Sequence, residues 1–233
     1  MKKIRPIDIA RKLRISTSSL RSYEARGIVP PTERLSTGYR VYTEEHVAYF
    51  ECIVAMSPGF GMEITSAVLK KLQLKQLDSA LWIINRAQVA NYENSIIIEK
   101  AIKYLENMVD EQTKTEKCIT IGEASIETQV PTSTLRYWEK EGLIISKREE
   151  DNNYRLFDRF QIIKILLMKT TQNAVYSHEV IKLKKAIKNL DVRDLQKSKN
   201  IVYDIQKNLS KRNQEQLHGL FYLYRLCKMI NLY

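Results

Sequence analysis

Apolar residues recur every three or four positions along most of the chain, the spacing that predicts amphipathic α-helices. Only seven glycines and five prolines interrupt this pattern in 233 residues. Residues 78–113 contain neither glycine nor proline and keep a 4-3 apolar spacing around a polar centre. The predicted seam consists of Leu77, Leu81, Ile84, Gln88, Asn91, Ser95, Ile98, Ile102, Leu105 and Val109. It predicts a coiled-coil helix of roughly 50 Å.

Two short helices are predicted near the start of the chain. The first covers IDIARKLRIS, residues 7–16, whose apolar side chains share one face. The second begins at a cap, Thr17 or Ser18, and ends at Gly27, because glycine readily adopts the left-handed conformation that closes a helix. Helix, tight turn and helix form the helix-turn-helix pattern.

The next segment predicts a β-hairpin followed by two helices. Pro30-Pro31 excludes a helix, and the turn at 36–38 separates two short extended pieces that form a wing. A helix is then predicted from Thr43, broken at Pro58-Gly59, and another over 62–74.

The pattern occurs twice. SSLRSYEARGIV at 18–29 matches STLRYWEKEGLI at 133–144, and the alignment needs no gap over 4–47. The offset from Leu20 to Leu135 is 115 positions. A solenoid repeat is shorter, at most about 50 residues, so we interpret the pattern as a whole domain duplicated in tandem.

We therefore expect a mainly α protein built of four segments. The first winged helix-turn-helix unit covers 1–75 and the first long helix 76–114. The second winged unit covers 117–190, and 191–233 holds a second long helix with an apolar tail.

Composition favours a polyanionic partner and gives no sign of catalysis. The formal net charge is +11 and the pI about 9.4, which suggests nucleic acid. The three cysteines, Cys52, Cys118 and Cys227, are too far apart for a metal motif, so we expect no metal and no cofactor. No nucleophile–base pair or phosphate loop appears, and we expect no enzyme and no catalytic residue. Without a signal-peptide pattern or an apolar run near membrane-spanning length, we expect a cytoplasmic, nucleoid-associated protein.

The combined motifs resemble those of the MerR family of bacterial transcription regulators. TSSLRSYEARGIV is followed by GYRVY and PGFGM, and TSTLRYWEKEGLI by NYRLF. The resemblance implies that the second helix of each unit enters the major groove, that the wing contacts flanking backbone and minor groove, and that the long helix pairs antiparallel with a second one. It also implies bending and untwisting of promoter DNA. Ser22 departs from the family's aromatic position, which Tyr137 keeps, and Asn153 replaces the wing glycine.

Carried over residue by residue, the resemblance implies a set of DNA-contacting side chains in each unit. Short hydroxyls allow close approach to the groove, and arginine forks onto phosphate or guanine. The expected DNA-binding residues are Thr17, Ser18, Arg21, Tyr39 and Arg40 in the first unit, and Thr132, Ser133, Arg136, Tyr137, Tyr154 and Arg155 in the second. We expect Tyr23 and Trp138 to be core aromatics and Glu24 and Glu139 to be structural partners of nearby cations.

Two units in one chain predict a single-chain pseudo-dimer. The linker TKTEK, residues 113–117, suffices only if the first long helix ends beside the second unit. We therefore expect helix 78–113 to pair with helix 193–218 as an intrachain antiparallel coiled coil. The units differ in sequence, so the target is expected to be asymmetric.

Double-stranded DNA is the expected partner, with RNA polymerase at the promoter as a second candidate and no membrane. The apolar tail, 217–233, either folds onto the long helices or serves a homo-oligomer or protein partner. The alternative to a transcription regulator is an architectural DNA-binding factor in recombination or in plasmid or chromosome maintenance.

Overall fold

The structure is a computed structural model that describes residues 4–36, 38–110, 118–172, 178–191 and 194–233, with the side chains of 109, 110 and 178–180 outside this description. Four parts of the predicted elements lie outside the described residues. They are Thr37 of the wing turn, the predicted end of the first long helix at 111–113, the linker at 113–117, and residues 192–193 at the predicted start of the second long helix.

The described residues are mainly helical, as the sequence predicts. The first half contains α1 (Pro6–Leu13), α2 (Thr17–Ala25), β1 (Glu33–Arg34), β2 (Arg40–Val41), α3 (Glu44–Gln73) and α4 (Leu77–Asp110). The second half contains β3 (Ile119–Thr120), α5 (Ile121–Thr128), α6 (Thr132–Lys140), β4 (Lys147–Arg148), β5 (Arg155–Phe157), α7 (Arg159–Thr170), α8 (His178–Lys188) and α9 (Leu195–Met229).

Two compact units divide the chain in an unexpected way. The first unit contains residues 1–91 and 210–233, and the second contains residues 92–209. Both points of division fall inside a long helix, α4 or α9. Each unit therefore consists of one winged helix-turn-helix, a part of the long helix that follows it, and a part of the other long helix.

The two wings share one strand arrangement. In the first unit β1 pairs with β2 antiparallel, and an isolated bridge joins Ile4 to Tyr42. In the second unit β4 pairs with β5, and Ile119 pairs with Phe157 in a third strand. Ile119 and Phe157 lie 115 positions after Ile4 and Tyr42, so the duplicated sequence gives a duplicated pairing.

Two local predictions need correction. Ser16, not Thr17 or Ser18, caps α2, because its side chain accepts a hydrogen bond from the Ser19 N–H at 3.0 Å. Helix α3 continues through Pro58 and is interrupted instead at Gly61, whose φ of 77° and ψ of 160° are not helical. Gly61 takes the break because only a residue without a Cβ adopts these angles readily.

Helix α3 also changes the expectation about apolar runs. Among the described residues it is long and apolar enough to cross a membrane, judged by length and composition only. Its most apolar 18-residue window has a mean hydropathy of 1.4, and half of that window is buried inside the protein. Phe50, Ile53 and Met56 of this helix are fully buried in the core of the first unit, so its apolar side chains pack inside the protein.

The end of α9 contacts the backbone of α3 in the first unit. A Cβ on Gly59 would lie 2.5 Å from the backbone nitrogen of Gln216, and one on Gly219 would lie 3.0 Å from the Cα of Met56. The amide Nε2 of Gln216 also donates to the carbonyl of Gly59 at 3.3 Å. The two glycines therefore permit a helix crossing that any side chain would obstruct.

The long helices pack differently against the second unit. Ile98, Ala101 and Leu105 of α4 share its core with Val202 and Ile205 of α9. Polar contacts add to this apolar core. Lys100 Nζ donates to the Glu127 carbonyl at 2.7 Å, and the Tyr104 hydroxyl donates to the Glu127 carboxylate.

The apolar seam of α4 is slightly rotated from the prediction. Its buried residues are Ala80, Ile84, Asn91, Ile98, Ala101 and Leu105, whereas Leu77, Leu81 and Ile102 are half-buried. Two of the buried positions, Ala80 and Ala101, are alanines, which allow close helix packing. A prediction from hydropathy alone favours the neighbouring leucines over these alanines.

Candidate DNA-binding interface

The second helix of each unit exposes a serine and an arginine at equivalent positions. In α2, Ser18 and Arg21 are exposed and Thr17 is half-buried. In α6 the corresponding Thr132, Ser133 and Arg136 are all exposed. Neither Arg21 nor Arg136 forms an ion pair with a carboxylate among the described residues, which leaves both guanidinium groups available to a polyanion.

A groove gathers the predicted residues of the first unit. It has a volume of about 650 Å³ and lies between the start of α1, α2 and the wing. Thr17, Arg21, Tyr39 and Arg40 line it, together with the apolar Leu35. Four of the five site residues predicted for this unit therefore face a common concave surface.

The wing tyrosines are exposed in both units. Tyr39 has 74% of its surface exposed and Tyr154 has 60%. The following arginines, Arg40 and Arg155, are only half-buried and belong to β2 and β5. A phenol ring that far out of the fold contributes little to packing, which fits a contact role.

A carboxylate clamp joins the wing to the second helix of the first unit. Arg40 Nε donates to Glu24 Oε2 at 2.6 Å, and the Thr32 hydroxyl donates to Glu24 Oε1 at 2.8 Å. Glu24 lies on α2, so three segments are tied at one side chain. The prediction that Glu24 is a structural partner of a cation is confirmed.

The second unit builds the same clamp. Arg155 Nε donates to Glu139 Oε2 at 2.6 Å, and the Ser146 hydroxyl donates to Glu139 Oε1. Glu139 and Arg155 lie 115 positions after Glu24 and Arg40, but Ser146 aligns with Pro31 and not with Thr32. Two different loop positions therefore supply the same hydroxyl contact.

Hydrogen bonding outweighs burial at Glu139. Burial raises the pKa of this carboxyl, while hydrogen bonds from Ser146 and Arg155 and the arginine charge lower it, and the resulting pKa is below the ordinary value. A carboxyl with a lowered folded-state pKa stabilises the fold at pH values above its unfolded-state pKa. That stability is lost as the pH falls through the folded-state pKa.

Beneath the first clamp lies an aromatic core residue that the second unit replaces. Tyr42 is fully buried, and its hydroxyl has no hydrogen-bond partner among the described residues. Burial, followed by the nearby Glu24 carboxylate, raises the pKa of this phenol. The equivalent Phe157 is also fully buried but carries no hydroxyl.

Comparisons with known proteins identify both winged units. Residues 5–68 match the family described as MerR HTH family regulatory protein, and residues 120–157 match MerR family regulatory protein. The HTH-type transcriptional regulator slr0701 of Synechocystis is 32% identical over 108 residues, which are 46% of this chain and 75% of that protein. The chain belongs to the MerR family.

Shorter matches link this MerR-family chain to regulators named CueR. The protein from Salmonella typhi is 35% identical over 57 residues, 24% of this chain and 41% of its own length. The Escherichia coli O157:H7 protein is 30% identical over 74 residues, 31% of this chain and 55% of its own length. The chain thus spans about half or less of these relatives. No solved structure matches it.

The two MerR-type units differ on the exposed side of the second helix. Next to the shared arginine the first unit has Ser22, and the second has Tyr137 with 58% of its surface exposed. One turn later the first unit has Ala25 and the second Lys140, both exposed. The exposed side chains of α6 are therefore larger, more aromatic and more basic than those of α2.

Sequence reasoning missed two parts of this surface. Thr32 and Ser146 complete the clamps, but the gapless repeat places them one position out of register. The predicted residues also omit Lys140, which the repeat aligns with Ala25 of the first unit. A search for hydroxyls just before each wing would have found the first pair.

Proposed function

We propose that this MerR-family chain is a sequence-specific double-stranded DNA-binding transcription regulator in which one polypeptide supplies both halves of the usual dimer. One observation carries the proposal. Each winged unit contains the distal part of the long helix that starts in the other unit, α9 in the first and α4 in the second. In a dimer of one-unit chains, this part would have to come from a second polypeptide.

The order of contacts supports an antiparallel coiled coil within the chain. The early residues Ala80 and Ile84 of α4 share a core with the late residues Leu223 and Leu226 of α9. Later in α4, Leu105 shares a core with residues from the start of α9. A parallel pair would have the opposite order.

The unequal recognition surfaces support an asymmetric target. Symmetric dimers read palindromes because both recognition helices are identical. Here Ser22 and Tyr137 occupy equivalent positions, and a tyrosine contacts apolar base edges that a serine cannot reach. We therefore propose two unlike half-sites at one fixed spacing, in DNA that the protein bends or untwists.

The charge of the chain supports strong, salt-sensitive binding. With a formal net charge of +11, several phosphate contacts for each unit are reasonable. Each neutralised phosphate lowers the logarithm of the affinity by about 0.9 per unit of log salt concentration. A promoter site in a bacterial cytoplasm, with RNA polymerase as the partner at that promoter, fits a regulator of this family.

Selection of binding sites from a random duplex library tests the proposal. We expect two unlike half-motifs at one spacing, and both to weaken in the Arg21→Ala/Arg136→Ala variant. A palindrome would contradict the single-chain arrangement. Enrichment of bent sequences without base-specific half-motifs would instead support the architectural alternative, and no enrichment at all would contradict both.

A further inference from the structure

The last part of α9 has a buried face and an exposed face. Leu223, Leu226 and Cys227 are buried in the first unit. On the other side, Leu217, Phe221 and Tyr224 are exposed at 72%, 57% and 48% of their surface. One face of the tail therefore belongs to the core of the first unit, and its other face is exposed.

The exposed residues form a continuous stripe. Positions 217, 221, 224 and 228 follow the spacing of neighbours along one side of a helix. We call the stripe the outer α9 face and define it by Leu217, Phe221, Tyr224, Arg225, Lys228 and Tyr233. The Tyr224 and Tyr233 rings lie 5.5 Å apart, which extends the apolar surface past the end of the helix. Scattered apolar residues are ordinary on a surface, but a contiguous stripe marks an interaction site.

Cations border the stripe without acidic partners. The Arg225 guanidinium lies 5.7 Å from the centroid of Phe221, and Lys228 Nζ lies 5.4 Å from that of Tyr224. No carboxylate of the described residues forms an ion pair with Arg225 or Lys228, whereas Glu215 is paired with Lys211 at 3.8 Å. Residues 210–233 contain four Lys or Arg and one acidic residue.

The charges decide between candidate occupants. A second copy of the chain would bring Arg225 and Lys228 but no Asp or Glu from residues 217–233 to this face, and like charges across an interface oppose association. An acidic helix would pair with both cations and cover the rings. Single-stranded nucleic acid would use the rings and cations but leave the aliphatic Leu217 and Met229 exposed.

We infer that the outer α9 face docks an acidic amphipathic helix of another protein. The partner helix places apolar side chains at i, i+3 or i+4, and i+7 against Phe221 and Tyr224, the arrangement of helix-in-groove and coiled-coil recognition. Its flanking Asp and Glu side chains reach Arg225 and Lys228. This partner is additional to DNA, because the face is distinct from the second helices and the wings.

Peptide titration of the full-length protein tests this inference. The probe is a synthetic helical peptide with leucines at coiled-coil spacing and glutamates elsewhere, and its control has lysine in place of every glutamate. We expect the acidic peptide to bind and the basic peptide to bind at least about tenfold more weakly. The Phe221→Ser/Tyr224→Ser variant is expected to lose about tenfold in affinity for the acidic peptide, because these rings are the central apolar contacts.

Two further variants complete the design. Arg225→Gln/Lys228→Gln is expected to weaken binding about fivefold and to reduce its salt dependence. Trp82→Ser removes an equally exposed aromatic of α4 outside the face and is expected to leave peptide affinity unchanged. All of these side chains are exposed, so circular dichroism is expected to show an intact fold.

Five outcomes would overturn the inference. The first four are no binding of the acidic peptide, equal binding of both peptides, unchanged binding after Phe221→Ser/Tyr224→Ser, and a wild-type homodimer that this variant converts to monomer. The fourth result would assign the face to a second copy. Binding of a single-stranded oligonucleotide that depends on Phe221 and Tyr224 would assign it to nucleic acid and likewise overturn a protein partner.

Discussion

The two winged units agree in how they hold the wing and disagree in what they present to a groove. Both use a glutamate on the second helix to bind an arginine of the wing and a hydroxyl of the preceding loop. In contrast, Ser22 and Ala25 of the first unit become Tyr137 and Lys140 in the second. The contacts that position the wing are therefore alike in the two units, whereas the exposed side chains of the candidate DNA-binding surface differ.

The units also differ in how a distant helix joins them. In the first, α9 crosses α3 with backbone contact at Gly59 and Gly219. In the second, α4 joins α5 through a polar cluster of Lys100, Tyr104 and Glu127. Burial and the hydrogen bond to Glu127 raise the pKa of the Tyr104 phenol to about 12. One attachment depends on the absence of side chains and the other on their hydrogen bonds.

Filling the glycine crossing is expected to have the largest effect. Gly59→Ala places a Cβ 2.5 Å from the Gln216 nitrogen, and overpacking of this kind costs about 1–3 kcal/mol. Hydrogen exchange is expected to show faster opening of α3 and of the end of α9. Gly122→Ala in α5 is the control, because its Cβ meets only the Thr120 hydroxyl at 3.9 Å, and it is expected to gain about 0.5–1 kcal/mol. Equal stability of both variants would place α9 away from α3.

Neutralising the clamps is expected to weaken DNA binding about tenfold for each unit. Glu24→Gln or Glu139→Gln removes a charge-assisted hydrogen bond, which contributes about 1.5–3 kcal/mol, and releases the wing. Affinity for the selected duplex is expected to fall although the protein becomes more basic. Glu33→Gln, an exposed residue of β1, is the control and is expected to raise affinity slightly. A rise in all three variants would mean that the glutamates only repel DNA.

These clamps show what the sequence could predict and what it could not. The repeat places Glu24 and Glu139 in equivalent positions, and a cationic partner for each was predicted. That these partners are Arg40 and Arg155 was not predicted, because both arginines were expected to contact DNA. The hydroxyl partners do not follow from the repeat, because they come from loop positions that the alignment does not equate. The contact of Gly59 with Gln216 was equally hidden, since it joins residues 157 positions apart.

Exchanging the recognition surfaces is expected to change specificity more than affinity. Tyr137→Ser removes the main difference between the two second helices, and a lost base contact reduces discrimination by about 1–3 kcal/mol. Competition between duplexes that differ in one half-site is expected to show the loss at a single half-site. Tyr203→Ser, which removes an exposed tyrosine of α9, is the control and is expected to leave both half-sites unaffected. Equal losses at both half-sites would contradict separate reading.

The smallest expected effect concerns the buried phenol. Tyr42→Phe removes a buried hydroxyl that has no hydrogen-bond partner among the described residues, and we expect a gain of about 1 kcal/mol, the lower end of the cost of such a group. We expect the melting temperature of the variant to rise. The reciprocal Phe157→Tyr is expected to lower it, because it adds a polar hydroxyl to a fully buried position. A loss of stability in Tyr42→Phe would reveal a hydrogen bond to that oxygen.

Most predictions that depended on local sequence agree with the structure, whereas predictions that depended on tertiary packing needed correction. The helix-turn-helix and wings could be predicted from motif order, and Gly27 and Gly142 adopt the positive φ expected at a helix end. The kink in α3 was placed at Pro58 when it occurs at Gly61, because packing can carry a helix through proline but cannot give a larger residue the angles of Gly61. The seam of α4 shifted for a similar reason, since alanines allow closer packing than leucines.

Light scattering of the full chain, free and bound to a selected duplex, distinguishes a single-chain pseudo-dimer from a dimer of two chains. We expect a mass of 27.3 kDa in solution and one chain for each duplex with two half-sites. Two chains on each duplex, together with a dimer in solution that persists in the Phe221→Ser/Tyr224→Ser variant, would contradict the single-chain arrangement.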